Sequence, residues 1–165
     1  MTIEIESRAF TNWQIDTLLR DINPKETATV QHYNIKNPIE GLNTLSSDYS
    51  YKSKKVTSSE HFLIKNFIDK HTYRGVCKSG VMLYYPENSY SAMHCDNDYL
   101  PGCKYSSIVF LNDGFEGGDL IYPNQGCIMR PTKGVMITAP CTSEYPHFVT
   151  QITKGERFSL VFRFY

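Results

Sequence analysis

Gly155-Glu156-Arg157-Phe158-Ser159-Leu160-Val161-Phe162-Arg163-Phe164 alternates with a period of two. Alternate side chains of a strand share a face, so Phe158, Leu160, Phe162 and Phe164 make one continuous apolar face while Arg157 and Ser159 share the other. In a barrel both faces are covered, and an arginine turned inward then needs an anionic partner, because burying a bare charge is costly. Its fork suits a carboxylate bidentately, and a neighbouring hydroxyl adds one more bond. Two readings stay open: an arginine at the surface or in an internal ion pair, and a clamp for a dicarboxylic ligand.

Upstream of this strand the chain keeps the same character back to residue 80. Candidate strands are 80–85, 91–96, 105–111, 119–122, 126–130, 134–139 and 147–152, with 157–164 the last. Turn signals separate them, among them Pro86-Glu87-Asn88, Asn112-Asp113-Gly114, Gly117-Gly118 and Lys154-Gly155. Eight short strands at this spacing predict a sandwich or jelly roll. Before residue 75 the signals are helical. Ile15, Leu18, Leu19 and Ile22 fall at i, i+3, i+4 and i+7 behind a Thr11 or Asn12 cap, predicting a helix over 11–22. Thr57-Ser58-Ser59-Glu60 reads as a capping box opening a helix over 58–71, with Leu63, Ile64, Phe67 and Ile68 as its apolar stripe. Residues 28–35 alternate loosely, as an edge strand would, and 37–56 read as a long polar loop, either a solvated connection or a lid carrying Tyr49 and Tyr51. The fold class expected is α+β, mainly β. A single domain over 1–165 would have helical support to about 75 and a jelly-roll core over 76–165.

Composition narrows the function classes. Lysine plus arginine equals aspartate plus glutamate at 17 each, so there is no global pull towards nucleic acid or anionic membrane, although a local basic patch stays open. The five cysteines form no Cys-x-x-Cys pair and are odd in number, which argues against a disulfide scaffold or cysteine-rich zinc site and favours a reducing compartment. With no apolar run near the roughly 18 residues of a membrane span and no signal-like N-terminus, the expectation is a cytoplasmic protein.

Of the five histidines, His94 stands in His94-Cys95-Asp96. On a strand His94 and Asp96 would point the same way and Cys95 the opposite way. Imidazole and carboxylate then supply two members of the 2-His-1-carboxylate set that holds non-heme Fe(II) with open positions. As a bare tripeptide this is a common accident. His147, opening the strand Pro146-His147-Phe148-Val149-Thr150, could sit beside it in a barrel, or could be structural. His61 and His71 belong to the second helix, and His32 says nothing by itself.

Taken together, these motifs resemble the Fe(II)- and 2-oxoglutarate-dependent oxygenases, most closely the prolyl 4-hydroxylase-like group. The resemblance runs from about Met82 to Tyr165, half the chain, and in the family's order. Met82-Leu83-Tyr84-Tyr85-Pro86-Glu87-Asn88 is similar to the strand and turn before the metal motif. Then come His94-x-Asp96, Ser107-Ile-Val-Phe-Leu-Asn112-Asp-Gly-Phe-Glu116-Gly-Gly-Asp119-Leu, Pro131-Thr-Lys-Gly-Val-Met136, His147 and Lys154-Gly-Glu-Arg157-Phe-Ser159-Leu. Each is a weak pattern, and five in order are not. The resemblance implies Fe(II) on His94, Asp96 and His147, and 2-oxoglutarate anchored by Arg157 with help from Ser159 and Tyr85. It further implies O2 as oxidant and ascorbate as reductant, with hydroxylation of a prolyl or other side chain in a peptide or protein coupled to release of succinate and CO2. Glu116-Gly-Gly-Asp119 would be a hairpin turn rather than catalytic. Departures are Arg157 where collagen-type members use lysine, Asn88 at a usual turn glycine, and Tyr90 one place from its usual position. Two other readings compete. A nucleic-acid dealkylating oxygenase would share the His-x-Asp, His and paired-arginine pattern, here Arg157 and Arg163, but the balanced charge does not suggest a phosphate-tracking surface. A non-catalytic jelly-roll binding module is the other.

Overall fold

The computed structural model describes residues 2–23, 25, 29–30 and 51–165. Its elements in chain order begin with β1 (Glu4–Glu6), α1 (Asn12–Asp21), β2 (Thr29–Val30), β3 (Lys52–Thr57) and α2 (Phe62–Lys70). Next come β4 (Ser79–Tyr85), β5 (Ser91–His94), the single turn α3 (Asp96–Tyr99), β6 (Tyr105–Phe110), β7 (Glu116–Gly117) and β8 (Leu120–Tyr122). The chain finishes with β9 (Cys127–Met129), β10 (Met136–Pro140), β11 (His147–Val149), β12 (Ile152–Lys154) and β13 (Arg157–Phe164). All pairings are antiparallel. They give a seven-stranded sheet in the order β1-β10-β6-β13-β4-β3-β2, a four-stranded sheet β5-β11-β8-β9, and the short pair β12-β7. This is the mainly-β, jelly-roll architecture expected from the strand spacing.

The opening strand behaves as its alternation demands. Phe158, Leu160, Phe162 and Phe164 of β13 join one core with Ile15, Leu18 and Ile22 of α1 and its flank and with Leu63, Ile64, Phe67 and Ile68 of α2. Phe67 stacks on Phe162 with ring centroids 3.9 Å apart. Val161, from the other face, enters a second core with Ile108, Phe110, Leu120, Tyr122 and Val149, drawn from both sheets. The large sheet therefore has helices on one side and the small sheet on the other. Each buried large apolar side chain contributes about 1.5–3 kcal/mol.

Several expectations need correction. α1 starts where predicted, with Thr11 and Gln14 exchanging the two bonds of a capping box. The Thr57–Glu60 pair is formed, Glu60 Oε2 accepting from the Thr57 backbone N–H at 2.6 Å, but it closes a turn ahead of the helix. α2 begins later, at Phe62, capped by His61, whose Nδ1 accepts from Leu63 N–H at 3.2 Å. The far end of the supposed loop 37–56 is strand β3, paired with β4 from Lys52↔Tyr84 to Thr57↔Ser79. Its lysines suggested a loop, yet Ser53 and Val56 are buried and the lysines spread along the sheet surface. The expected strand 147–152 is two strands in different sheets, β11 and β12. The expected strand 91–96 stops at His94. Of the edge strand over 28–35, Thr29–Val30 pairs with β3, while His32, Tyr49 and the rest of that loop lie outside the described residues.

Asn88 carries φ 71°, the left-handed turn conformation expected of it. Gly117 and Gly118 have φ 77° and 71° in the turn after Phe115, which is not the hairpin expected, because it carries the chain from β7 to β8 in a different sheet. All five cysteines are free thiols, and the Cys103 and Cys141 sulfurs touch at 2.8 Å. No helix among the described residues is long and apolar enough to cross a membrane.

Candidate active site

β5 and β11 are neighbours in the small sheet, and their register sets His147 directly opposite His94. The imidazole centroids are 4.5 Å apart. Asp96 reaches them by another route than strand alternation. After His94 the chain stays extended for Cys95 and then enters α3, with Asp96 as its first residue. The turn is pinned by Asn97 N–H donating to Cys141 O at 3.2 Å and Leu100 N–H donating to Asp96 O at 2.9 Å. Cys95 points away and is buried, its thiol donating towards Ser143 O at 3.8 Å. One ligand atom from each of His94, Asp96 and His147 lies within 4.8 Å of the others.

Hydrogen bonding sets the tautomers. His94 Nδ1 lies 2.8 Å from Ala92 O and His147 Nδ1 lies 3.3 Å from Tyr145 O. A carbonyl only accepts, so each Nδ1 carries the proton and each Nε2 keeps a lone pair. Burial, and then the neighbouring His94, lowers His147 to a pKa of about 4, so it is neutral at physiological pH. For Asp96, burial acts to raise the pKa, but Arg163 and the two imidazoles outweigh it and bring it to about 2. The Arg163 Nη2 lies 3.5 Å from Asp96 Oδ1. Two imidazoles that each turn Nε2 away from their backbone partner, and one ionised carboxylate, with room beside them, suit a divalent first-row metal such as Fe(II).

Arg157 is 1% exposed and pairs in register with Tyr85. Its guanidinium lies over the Tyr85 ring at 4.9 Å and the Phe110 ring at 5.4 Å. Tyr51 stacks on the far side of this group, its ring centroid 4.9 Å from that of Tyr85. Burial lowers the Arg157 pKa, and Tyr85 acts in the opposite direction. Its Nε has no hydrogen-bond partner, and among the described residues it forms no ion pair. Asp119, the carboxylate that acts on it, pairs instead with Arg130 at 3.4 Å. A cavity of about 620 Å³ joins Arg157, Tyr85 and Tyr51 to His94, Asp96, His147 and Arg163. Ser159 is fully buried with an unpartnered Oγ but does not line that cavity.

Thus the structure brings His94, Asp96, His147, Arg157 and Tyr85 around one hollow and leaves Ser159 outside its lining. Two participants have places that the sequence did not show. Tyr51, a lid candidate, is a buried wall residue. Arg163, which entered the sequence reading only through the paired-arginine pattern of the disfavoured dealkylating alternative, holds Asp96. Its position on the face of Arg157, three alternations along β13, was the available signal.

No protein-family model matches the chain. A segment of 65 residues is 34% identical to human prolyl 3-hydroxylase 2, covering 36% of this chain and 9% of that protein. Mouse prolyl 3-hydroxylase 3 is 34% identical over 61 residues, 34% of this chain and 8% of that protein. The matches therefore span less than a tenth of these relatives' length. Among solved structures, a prolyl hydroxylase from Trichoplax adhaerens, in complex with a peptide fragment of the hypoxia inducible factor oxygen degradation domain, aligns with TM-score 0.77 and 12% identity, covering 99% of this chain and 83% of that one. The viral collagen prolyl hydroxylase of Paramecium bursaria Chlorella virus-1, as its 2OG complex, gives TM-score 0.72 at 15% identity, with 99% and 94% covered. A Pseudomonas putida prolyl-4-hydroxylase gives TM-score 0.66 at 17% identity, with 98% and 91% covered. The fold is the one these oxygenases share, and the local sequence similarity points to the same group.

Proposed function

We propose that the chain is an Fe(II)- and 2-oxoglutarate-dependent dioxygenase of the prolyl hydroxylase kind, hydroxylating a prolyl or other side chain of a peptide or protein. The observation that carries this reading is one cavity with a two-histidine, one-carboxylate cluster and a buried arginine that forms no ion pair among the described residues. Similarity to prolyl hydroxylases supports it from outside the site.

His94 and His147 would hold the metal through Nε2, and Asp96 through its carboxylate. Arg157 would bind the distal carboxylate of 2-oxoglutarate, with the Tyr85 hydroxyl beside it, in a dry setting where a charge-assisted bond is strong. Bound together, Fe(II), 2-oxoglutarate and O2 supply the chemistry that converts C–H to C–OH while 2-oxoglutarate leaves as succinate and CO2. Arg163 keeps Asp96 ionised and aimed. The Tyr51–Tyr85 stack excludes water behind the co-substrate. Ascorbate as an accessory reductant belongs to the same proposal. Ser159, on the same face of β13 as Arg157 and with its Oγ unpartnered among the described residues, would add a hydroxyl to the same carboxylate.

Arg163 weighs against the dealkylating alternative, since its guanidinium is engaged by Asp96 and is not displayed for phosphate. The test is anaerobic loading with Fe(II) and 2-oxoglutarate, read as a weak visible charge-transfer band and by calorimetry. The band should vanish in His94→Ala and His147→Ala, whereas Arg157→Ala should keep metal binding and lose most 2-oxoglutarate affinity. A wild-type protein that binds neither would end the proposal. For substrate, mass spectrometry of proline-containing peptides should show the gain of one oxygen atom.

A further inference from the structure

A second hollow of about 500 Å³ adjoins the first. Both are lined by Lys55, Val81, Leu100, Val161 and Arg163, so the second continues the first past Arg163 towards the surface. Strands β3, β4 and β13 each contribute to its wall, through Lys55, through Ser79 and Val81, and through Val161 and Arg163. Alternation puts Tyr51, Ser53 and Lys55 on the cavity face, and Lys55 pairs in register with Val81 of β4. Lys78, just before β4, stands on the same hollow.

The charge of this continuation is one-sided. It presents Lys55, Lys78 and Arg163, and no Asp or Glu side chain among the described residues lines it. Arg163 is engaged by Asp96, so its charge is largely answered. Lys55 and Lys78 are exposed and form no ion pair among the described residues. Glu60, which lies within electrostatic reach of Lys55, is held by the Thr57 backbone N–H and hydroxyl. Beside the two lysines the hollow leaves apolar surface open, with Val76 60% and Tyr165 42% exposed. The chain as a whole has balanced charge, so this is a local feature rather than a reflection of overall basicity.

Two ammonium groups on one hollow, with open apolar surface beside them, match a carboxylate side chain and an apolar neighbour. A polyanion tracked by its phosphates would call for a longer basic stripe. We propose that this hollow is the substrate-peptide groove. It selects peptides in which an acidic residue flanks the residue to be hydroxylated, its carboxylate placed between Lys55 and Lys78. The inference rests on the oxygenase reading, and its test separates the two.

Binding is measured anaerobically, with Fe(II) and 2-oxoglutarate loaded, using fluorescein-labelled short peptides centred on proline. One peptide carries glutamates beside the proline and its control carries glutamines. The wild type should favour the glutamate peptide by about tenfold at low salt, and by less as salt screens the exposed pairs. The Lys78→Glu variant, whose side chain lines only the second hollow, should lose most of this preference while loading Fe(II) and 2-oxoglutarate as the wild type does. Wild-type protein that loads both but binds the two peptides equally overturns the groove and leaves the oxygenase standing, as does a Lys78→Glu variant that keeps the preference. Displacement of the peptide by a short oligodeoxynucleotide with a steep salt slope overturns it in favour of nucleic acid. Wild-type protein that loads neither metal nor 2-oxoglutarate removes both inferences.

Discussion

His147 is neutral because it is buried beside His94, and in the metal-free protein that neutrality has a consequence in acid. Its folded pKa, about 4, lies below the ordinary histidine value of 6.5. Between those limits the unfolded chain takes up a proton that the folded chain refuses, so stability falls as pH drops from about 6.5 to about 4. A shift of this size corresponds to about 3 kcal/mol. Urea unfolding of metal-free protein at stepped pH should show the decline, and His147→Asn should flatten it. Asp96 acts in a lower window. Its folded pKa, about 2, lies below its ordinary 3.8, so its contribution is present above about pH 4 and is lost as pH falls through about 2. Arg163 is the largest influence lowering that value. Arg163→Met should therefore weaken binding of Fe(II) or Mn(II) by about 10- to 100-fold, and Arg163→Lys should recover part of it. A metal titration on folded, monodisperse variants checks this.

At the scale of elements, the turn after Phe115 is the most exacting. A Cβ on Gly117 would overlap the Gln151 carbonyl, and one on Gly118 would stand 2.8 Å from the Phe115 ring and 3.2 Å from Arg157 Cδ. Gly117→Ala should cost about 2 kcal/mol or more in urea unfolding, combining positive φ with a backbone clash. Gly118→Ala should in addition weaken 2-oxoglutarate binding, because it presses on Arg157. The sequence reading placed a turn here, as a glycine pair suggests, but expected a hairpin, whereas β7 and β8 belong to different sheets and do not pair with each other. Elements with a long, clean period were equally legible, β13 and α1 above all. β3 was not, because three lysines within four residues mask it, and its buried Ser53 and Val56 lie on opposite faces and so show no alternation. α3 was not, because four residues are too few to show a helical period, and so Asp96 was assigned to a strand. β1, β7 and β12 have three residues or fewer and draw their stability from their partners. The approach of His147 to His94 is a matter of strand register, which the residues of either strand alone do not specify. The spacing to Arg157 and the family resemblance brought them together on paper, while the role of Arg163 became visible only with the fold.

For the molecule as a whole, the large sheet is the permanent part and the small sheet the responsive one. β13 lies between β6 and β4 and buries both faces, whereas β5 is at the edge of its sheet, paired only with β11 across a bulge. Two candidate ligands follow from this arrangement, one at the end of β5 and one at the start of β11. Any ion that binds the folded chain alone stabilises it by mass action, about 2.7 kcal/mol at a hundredfold excess over its dissociation constant. For a chain of this size that raises the midpoint of thermal unfolding by roughly 5–10 °C, and scanning calorimetry with Mn(II) in place of Fe(II) should show it. His94→Ala should abolish the rise. The gain need not be shared evenly along the chain. Amide protons of Ser91–His94 open to solvent whenever the edge strand peels from β11, without global unfolding. An ion bridging the two strands closes that door, so deuterium uptake in this short segment should slow sharply on metal loading while uptake in β13 stays at its already low level.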